Sequence, residues 1–166
     1  MKEITIGILL IVFSSCGKQE LQQVDQAKHS VVFKSGITSV DGTVYTGIIY
    51  GMYEGGDTAF VQEYKEGRKD GVYKMWYPDG QQKRVAHFAN DVYEGNVKEW
   101  FPNGQLYRSF NYANGQEQGM QTMYWDNGKL RANYESKNGR KYGLTGIKNC
   151  TSPWSDSVDK LLIGGM

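Results

Sequence analysis

Apolar, polar and turn-forming residues recur in this chain with a period of 24. Gly47, Gly71, Gly95, Gly119 and Gly143 stand in one column, and Gly56, Gly80, Gly104 and Gly128 in a second. A third holds Gly67, Asp91, Gly115 and Gly139, preceded by Glu66, Asn90, Asn114 and Asn138. Within each period a stretch rich in aromatic and β-branched residues, such as 72–77, is too short for a helix and predicts a strand. Pro78-Asp79-Gly80 then breaks it, and Pro102-Asn103-Gly104 and Asp126-Asn127-Gly128 repeat the device. A return strand alternates as Gln82, Arg84, Ala86, Phe88 and again as Leu106, Arg108, Phe110, Tyr112. Asn90-Asp91, Asn114-Gly115 and Asn138-Gly139 close the unit with a second turn.

Strand, turn, strand, turn at a fixed period predicts an all-β fold, an elongated antiparallel β-meander of repeated hairpins forming a single-layer twisted sheet. Four units over 47–142 would extend about 40 Å, at about 10 Å for each pair of strands. Further strands are predicted at 31–34, 37–40 and 43–52, with Asp41-Gly42 as a turn, and a last one at 144–148. Tyr134 comes two residues early against its column, which predicts a wider loop around 136–141. Two aromatic columns, Trp76, Trp100, Tyr124 and Tyr77, Phe101, Trp125, are expected to form ladders on opposite faces of the sheet. These six residues are also the candidate binding surface, because aromatic side chains dominate recognition hot spots.

The first 30 residues follow another pattern. Lys2, an apolar run over 4–13 and Ser14-Ser15 before Cys16 read as a signal peptide over 1–15, with Cys16 the residue to be lipidated. Two or three acyl chains on that cysteine would anchor the protein firmly to a membrane. The polar, Gln-rich stretch 16–30 reads as a spacer, 31–148 as the repeat domain and 149–166 as a tail. With Cys16 lipidated, Cys150 has no partner for a disulfide within the chain.

Charge and chemistry narrow the function classes. Nineteen basic and eighteen acidic residues leave a net charge of +1 without a block of either sign, so nucleic acid is not expected as a partner. His29 lies in the spacer and His87 on a return strand, neither near a second histidine or a cysteine, so no metal site is expected. Asp79, Asp91 and Asp126 have turn-forming reasons to be where they are, and no serine sits in a nucleophile context. The chain is therefore read as not an enzyme, with no catalytic residue and no cofactor.

The segments Gly71 to Gln81, Gly95 to Gln105 and Gly119 to Lys129 resemble the variant MORN repeat. Proteins of this type are commonly identified as YwqK-family antitoxin components of toxin–antitoxin modules, and a chain with this leader resembles the Bacteroidota-type lipoproteins among them. The resemblance implies a hairpin ribbon that binds a partner protein, in the antitoxin case a toxin, at the cell envelope, with the outer membrane favoured. The alternative is a structural envelope protein that binds lipid or polysaccharide through its aromatic sheet face.

Overall fold

Two-residue turns with both residues at positive φ punctuate the chain. They are Ser35-Gly36 (53°, 79°), Asp41-Gly42 (50°, 81°), Glu66-Gly67 (51°, 76°), Asn90-Asp91 (48°, 69°), Asn114-Gly115 (50°, 76°) and Asn138-Gly139 (53°, 73°). This is type I′ geometry, whose twist matches that of the strands it joins, and it folds each unit back on itself. The computed structural model describes residues 21–146, and among these there is no helix.

The strands before the first complete unit are β1 (Gln23–Asp25), β2 (Val31–Lys34), β3 (Ile37–Val40) and β4 (Thr43–Val44). Then come β5 (Gly47–Met52), β6 (Thr58–Lys65), β7 (Arg68–Trp76), β8 (Gln82–Ala89) and β9 (Val92–Tyr93). The series ends with β10 (Gly95–Trp100), β11 (Leu106–Ala113), β12 (Gln116–Glu117), β13 (Gly119–Tyr124), β14 (Leu130–Lys137) and β15 (Arg140–Leu144). From β5 to β15 the hairpins lie side by side in one antiparallel sheet, and β1 adds to its first edge in parallel with β5. Each unit carries an irregularity at the same place, after Gly51, Met75, Glu99 and Met123, just before the longer turn. Strands β2, β3 and β4 make a separate three-stranded sheet. Val24, Val40, Tyr45 and Ile49 form a buried cluster that joins it to the start of the long sheet, with Val31, Phe60 and Tyr64 against it.

Four expectations need correction. The stretch 16–30 is not a spacer throughout, because β1 pairs with β5 and buries Val24, an apolar residue hidden in a polar composition. The predicted strand 43–52 is broken after Val44, where Tyr45 turns inward. The last strand is Arg140–Leu144, not 144–148, and Lys148 lies outside the described residues. No wider loop forms at 136–141, since Lys137 faces Arg140 across a two-residue turn. The aromatic of that unit has moved to the neighbouring inward position, leaving Ser136 buried where Phe88 and Tyr112 stand in earlier units. Residues 1–20, with Cys16, and Cys150 also lie outside the described residues.

Beyond that cluster, the core of the long sheet is mainly a row across its strands. Ile49 faces Gln62, Tyr73 faces Ala86, Val97 faces Phe110 and Gln121 faces Tyr134 at the middle of the four hairpins. All but Tyr73 are buried. On the same face, two residues along, the first glycine column lies opposite aromatics, as Gly71 does opposite Phe88 and Gly95 opposite Tyr112.

Aromatic ladders form, but not down the two predicted columns. Residues of one column sit two strands apart, about 10 Å, which exceeds the reach of ring-to-ring contact. Contacts run instead between neighbouring strands, from Tyr73 to Phe88 (6.3 Å), Phe88 to Tyr93 (4.6 Å) and Tyr93 to Tyr112 (5.1 Å).

Candidate recognition surface

Trp76, Trp100 and Tyr124 end β7, β10 and β13 at the irregularity and are half-buried. Tyr77, Phe101 and Trp125 open the longer turns. Their amides donate to the carbonyls of Gln81, Gln105 and Lys129 (2.8 Å each), and their carbonyls accept from Gly80, Gly104 and Gly128 (2.9 Å each). The turn thus fixes the backbone from which each of these three rings projects. Return-strand side chains of a further column, Lys83, Tyr107 and Arg131, then fill in beside them. Lys83 Nζ stands 5.2 Å from the Tyr77 ring centre, Tyr107 lies 4.9 Å from Phe101, and the Arg131 guanidinium lies 4.4 Å over Trp125.

The last two of these pairs share a shallow groove of about 600 Å³, which Phe101, Tyr107, Trp125 and Arg131 line together with Pro102, Asn103 and Asp126. Trp125 is 49% exposed, which leaves a large ring face available to a ligand. Of the six predicted surface residues, the structure therefore brings Phe101 and Trp125 into one groove. Tyr77 stands one unit away, with its hydroxyl donating to the carbonyl of Trp100. Trp76, Trp100 and Tyr124 are not part of the groove.

A second surface was not foreseen from the sequence. On the face that carries the core row, Glu99 accepts two hydrogen bonds from Arg108, at 2.7 and 2.9 Å, and lies 3.0 Å from Arg84. The shared carboxylate holds the Arg108 guanidinium above its ordinary pKa. Arg84 also lies 5.9 Å from the Tyr73 ring centre and 5.4 Å from that of Tyr93, whose hydroxyl it contacts. Further along, Glu117 accepts from the Tyr134 hydroxyl and pairs with Lys141, each at 2.9 Å. Burial raises the pKa of Tyr64, Tyr73 and Tyr112 above the ordinary phenol value, so these side chains keep their protons further into the alkaline range. Finding this surface needed the register, because Arg84 and Glu99 meet only once β8 and β10 are known to be adjacent.

Of the two histidines, His87 is exposed opposite Val72, and His29 contacts Asp41 at 2.6 Å. Among the described residues no three His, Cys, Asp or Glu side chains gather as a metal site would require.

Three consecutive stretches of the chain, 69–90, 93–114 and 117–138, match the MORN repeat variant. They cover the hairpins that supply the Trp125 groove and the Arg84, Glu99 and Arg108 cluster. No curated protein matches the chain. No solved structure matches it either.

Proposed function

We propose that this chain is a docking module for another protein, held at the cell envelope by acyl groups on Cys16. The observation that carries the proposal is the groove in which Trp125, Phe101 and Tyr107 meet Arg131 on an open surface. Rigid aromatic rings and an arginine are the side chains that carry most binding energy in protein interfaces. Repetition adds reach, since the hairpins set such residues along one continuous sheet. The work assigned to the chain is binding, and it requires no catalytic group, metal or cofactor.

The partner proposed is a toxin, in keeping with the antitoxins that the repeat resembles. Neutralisation by occlusion asks only for a broad, complementary surface. The tether is proposed from the leader alone, in which a short apolar run ends at Ser14-Ser15-Cys16. A second reading, polysaccharide binding, draws on Asn103 and Asp126 beside the exposed Trp125 ring, polar groups of the kind that hydrogen-bond sugar hydroxyls.

Cross-linking in intact envelope, followed by capture of the full-length protein, tests the leading reading. The wild type should retain a protein partner that Trp125→Ala and Arg131→Ala lose, with melting temperatures nearly unchanged. Recovery of the same proteins by wild type and both variants would defeat it. Binding to a glycan array that Trp125→Ala abolishes, without any protein captured, would favour the second reading.

A further inference from the structure

Among the described residues, two buried side-chain polar atoms lack a hydrogen-bond partner, Gln62 Oε1 and Arg84 Nε. Both residues line the same cavity, about 420 Å³, on the sheet face one to two units before the Trp125 groove. Phe60, Tyr73, Phe88 and Tyr93 wall it, and Lys69 stands at its side. A buried acceptor without a partner is costly to the fold, and beside it stands a buried donor whose carboxylate contact with Glu99 is not directed as a hydrogen bond; a ligand that supplies partners to both is favoured there.

The repeat does not require these groups. Gln62 is 3% exposed in the core row, and the equivalent positions of later units hold Ala86, Phe110 and Tyr134. Its Nε2 is used, donating to the Glu63 carbonyl at 2.8 Å, so the open valence is an acceptor. Arg84 and Arg108 occupy one column, yet Arg108 makes both directed hydrogen bonds to Glu99. Arg84 Nε lies 3.0 Å from that carboxylate without being directed into a hydrogen bond. Lys69 makes no ion pair among the described residues and lies 5.3 Å over the Phe88 ring. Its equivalent three repeat units on, Lys141, is paired with Glu117.

The cavity has two cationic residues and no acidic one in its lining. An occupant that complements it carries an anionic group, an N–H or O–H donor and an apolar body. The cavity also does not end at Lys69. Tyr64 and Lys69 line a neighbouring cavity of about 580 Å³ as well, whose far wall includes Val31 and Phe33 of the small sheet. Phe33 is 71% exposed. Through the shared Tyr64 and Lys69 the two form a groove too long for a single small acid, and Asp91, which lines the second part, is paired with Arg68.

We propose that this groove receives the C-terminal end of a partner polypeptide. Its terminal carboxylate lies between Arg84 and Lys69, its last amide N–H donates to Gln62 Oε1, and its last side chain, an apolar or aromatic one, rests against Tyr73 and Phe88. Preceding residues run past Tyr64 toward Phe33. The inference rests on the reading of the chain as a protein-binding module, but it uses a surface separate from the Trp125 groove.

Titration of the full-length protein in detergent with three probes tests it. They are a labelled glycine–serine heptapeptide ending in phenylalanine with a free carboxylate, its C-terminally amidated twin, and 3-phenylpropionate. The free-acid peptide should bind at least about tenfold more tightly than either other probe. Lys69→Gln and Gln62→Leu should each weaken the free-acid peptide several-fold, whereas Lys98→Gln, at an exposed lysine outside both grooves, should not. The leucine variant is expected to fold, because that position is apolar in other units. Equal binding of acid and amide, absence of saturable binding, or insensitivity to both variants overturns the proposal. Equal binding of 3-phenylpropionate assigns the site to small acids and overturns the polypeptide source. If the peptide fails while Trp125-dependent capture of a protein persists, this inference falls alone.

Discussion

The hydroxyl of Tyr77 donates to the main-chain carbonyl of Trp100 over 2.8 Å, and Tyr53 makes the same bond to Trp76 at 2.7 Å. Each bond ties one unit to the next at the end where the longer turns lie. The third residue of this column is Phe101, which has no hydroxyl. There the tie passes to Asn103, whose side chain donates to the Asp126 carbonyl at 3.1 Å. Removing a half-buried hydrogen bond of this kind costs about 1 kcal/mol. Tyr77→Phe should lower the unfolding free energy by that amount while leaving the ring contact with Lys83 in place. Urea denaturation measures it, and an unchanged midpoint would mean the bond contributes nothing.

Gln121 carries a larger share. It is fully buried, its Oε1 accepts from the Asn111 amide at 2.8 Å, and its Nε2 donates to the Asn111 carbonyl at 2.9 Å. The side chain thus stitches β13 to β11 where their ladder pairing is short. Gln121→Ala leaves buried main-chain groups unpaired and opens a void, at about 2–4 kcal/mol. Gln105→Ala, in an exposed turn, should stay within about 0.5 kcal/mol. Thermal unfolding of the two variants should separate them clearly.

The third test concerns one carboxylate shared by two arginines. Glu99 is largely withdrawn from solvent between Arg84 and Arg108. Glu99→Gln keeps the size and removes the charge that both guanidinium groups face. A partly buried pair broken on one side should cost about 1–3 kcal/mol, less than the full penalty of a deeply buried one. A double-mutant cycle with Arg108→Met reads the coupling, and additive effects would show the ion pair to be inert.

What the sequence disclosed was local, and what it hid depended on register. Asn-Gly and Asn-Asp pairs dictate their own turn geometry, so the hairpins, their order and the period were legible without any partner strand. Gln62 and Gln121 were not recognisable as core, because polarity signals exposure until the row they occupy is known. Val24 was masked by its polar neighbours for the same reason. Tyr134 shows the limit of column counting: its displacement looked like a lengthened turn, yet it is an aromatic occupying the inward position that holds Phe110 one unit earlier. In the recognition groove, Phe101 and Trp125 were visible as one column. Tyr107 and Arg131, which complete the groove, stand on an alternating strand whose two faces look alike in sequence.

The buried phenols make stability depend on alkaline pH. Burial raises the pKa of Tyr64, Tyr73 and Tyr112 above the ordinary value of 10.0. The folded chain therefore holds these protons to higher pH than the unfolded chain. Their contribution is fully present below pH 10 and is lost as pH rises through the unfolded value toward the folded ones. Lys141 acts in the same direction, because its hydrogen bond to Glu117 raises its pKa and favours the folded state until that proton leaves. The melting temperature should therefore be flat with respect to these groups near neutrality and fall above pH 10. Tyrosinate absorbance should lag behind that of a free tyrosine until the chain unfolds. Tyr73→Phe paired with Tyr112→Phe removes two of the titrating phenols and should flatten the alkaline slope, and Lys141→Gln should flatten it independently. A slope that survives the double phenylalanine variant but vanishes with Lys141→Gln would assign the effect to the Glu117–Lys141 pair rather than to the aromatic face.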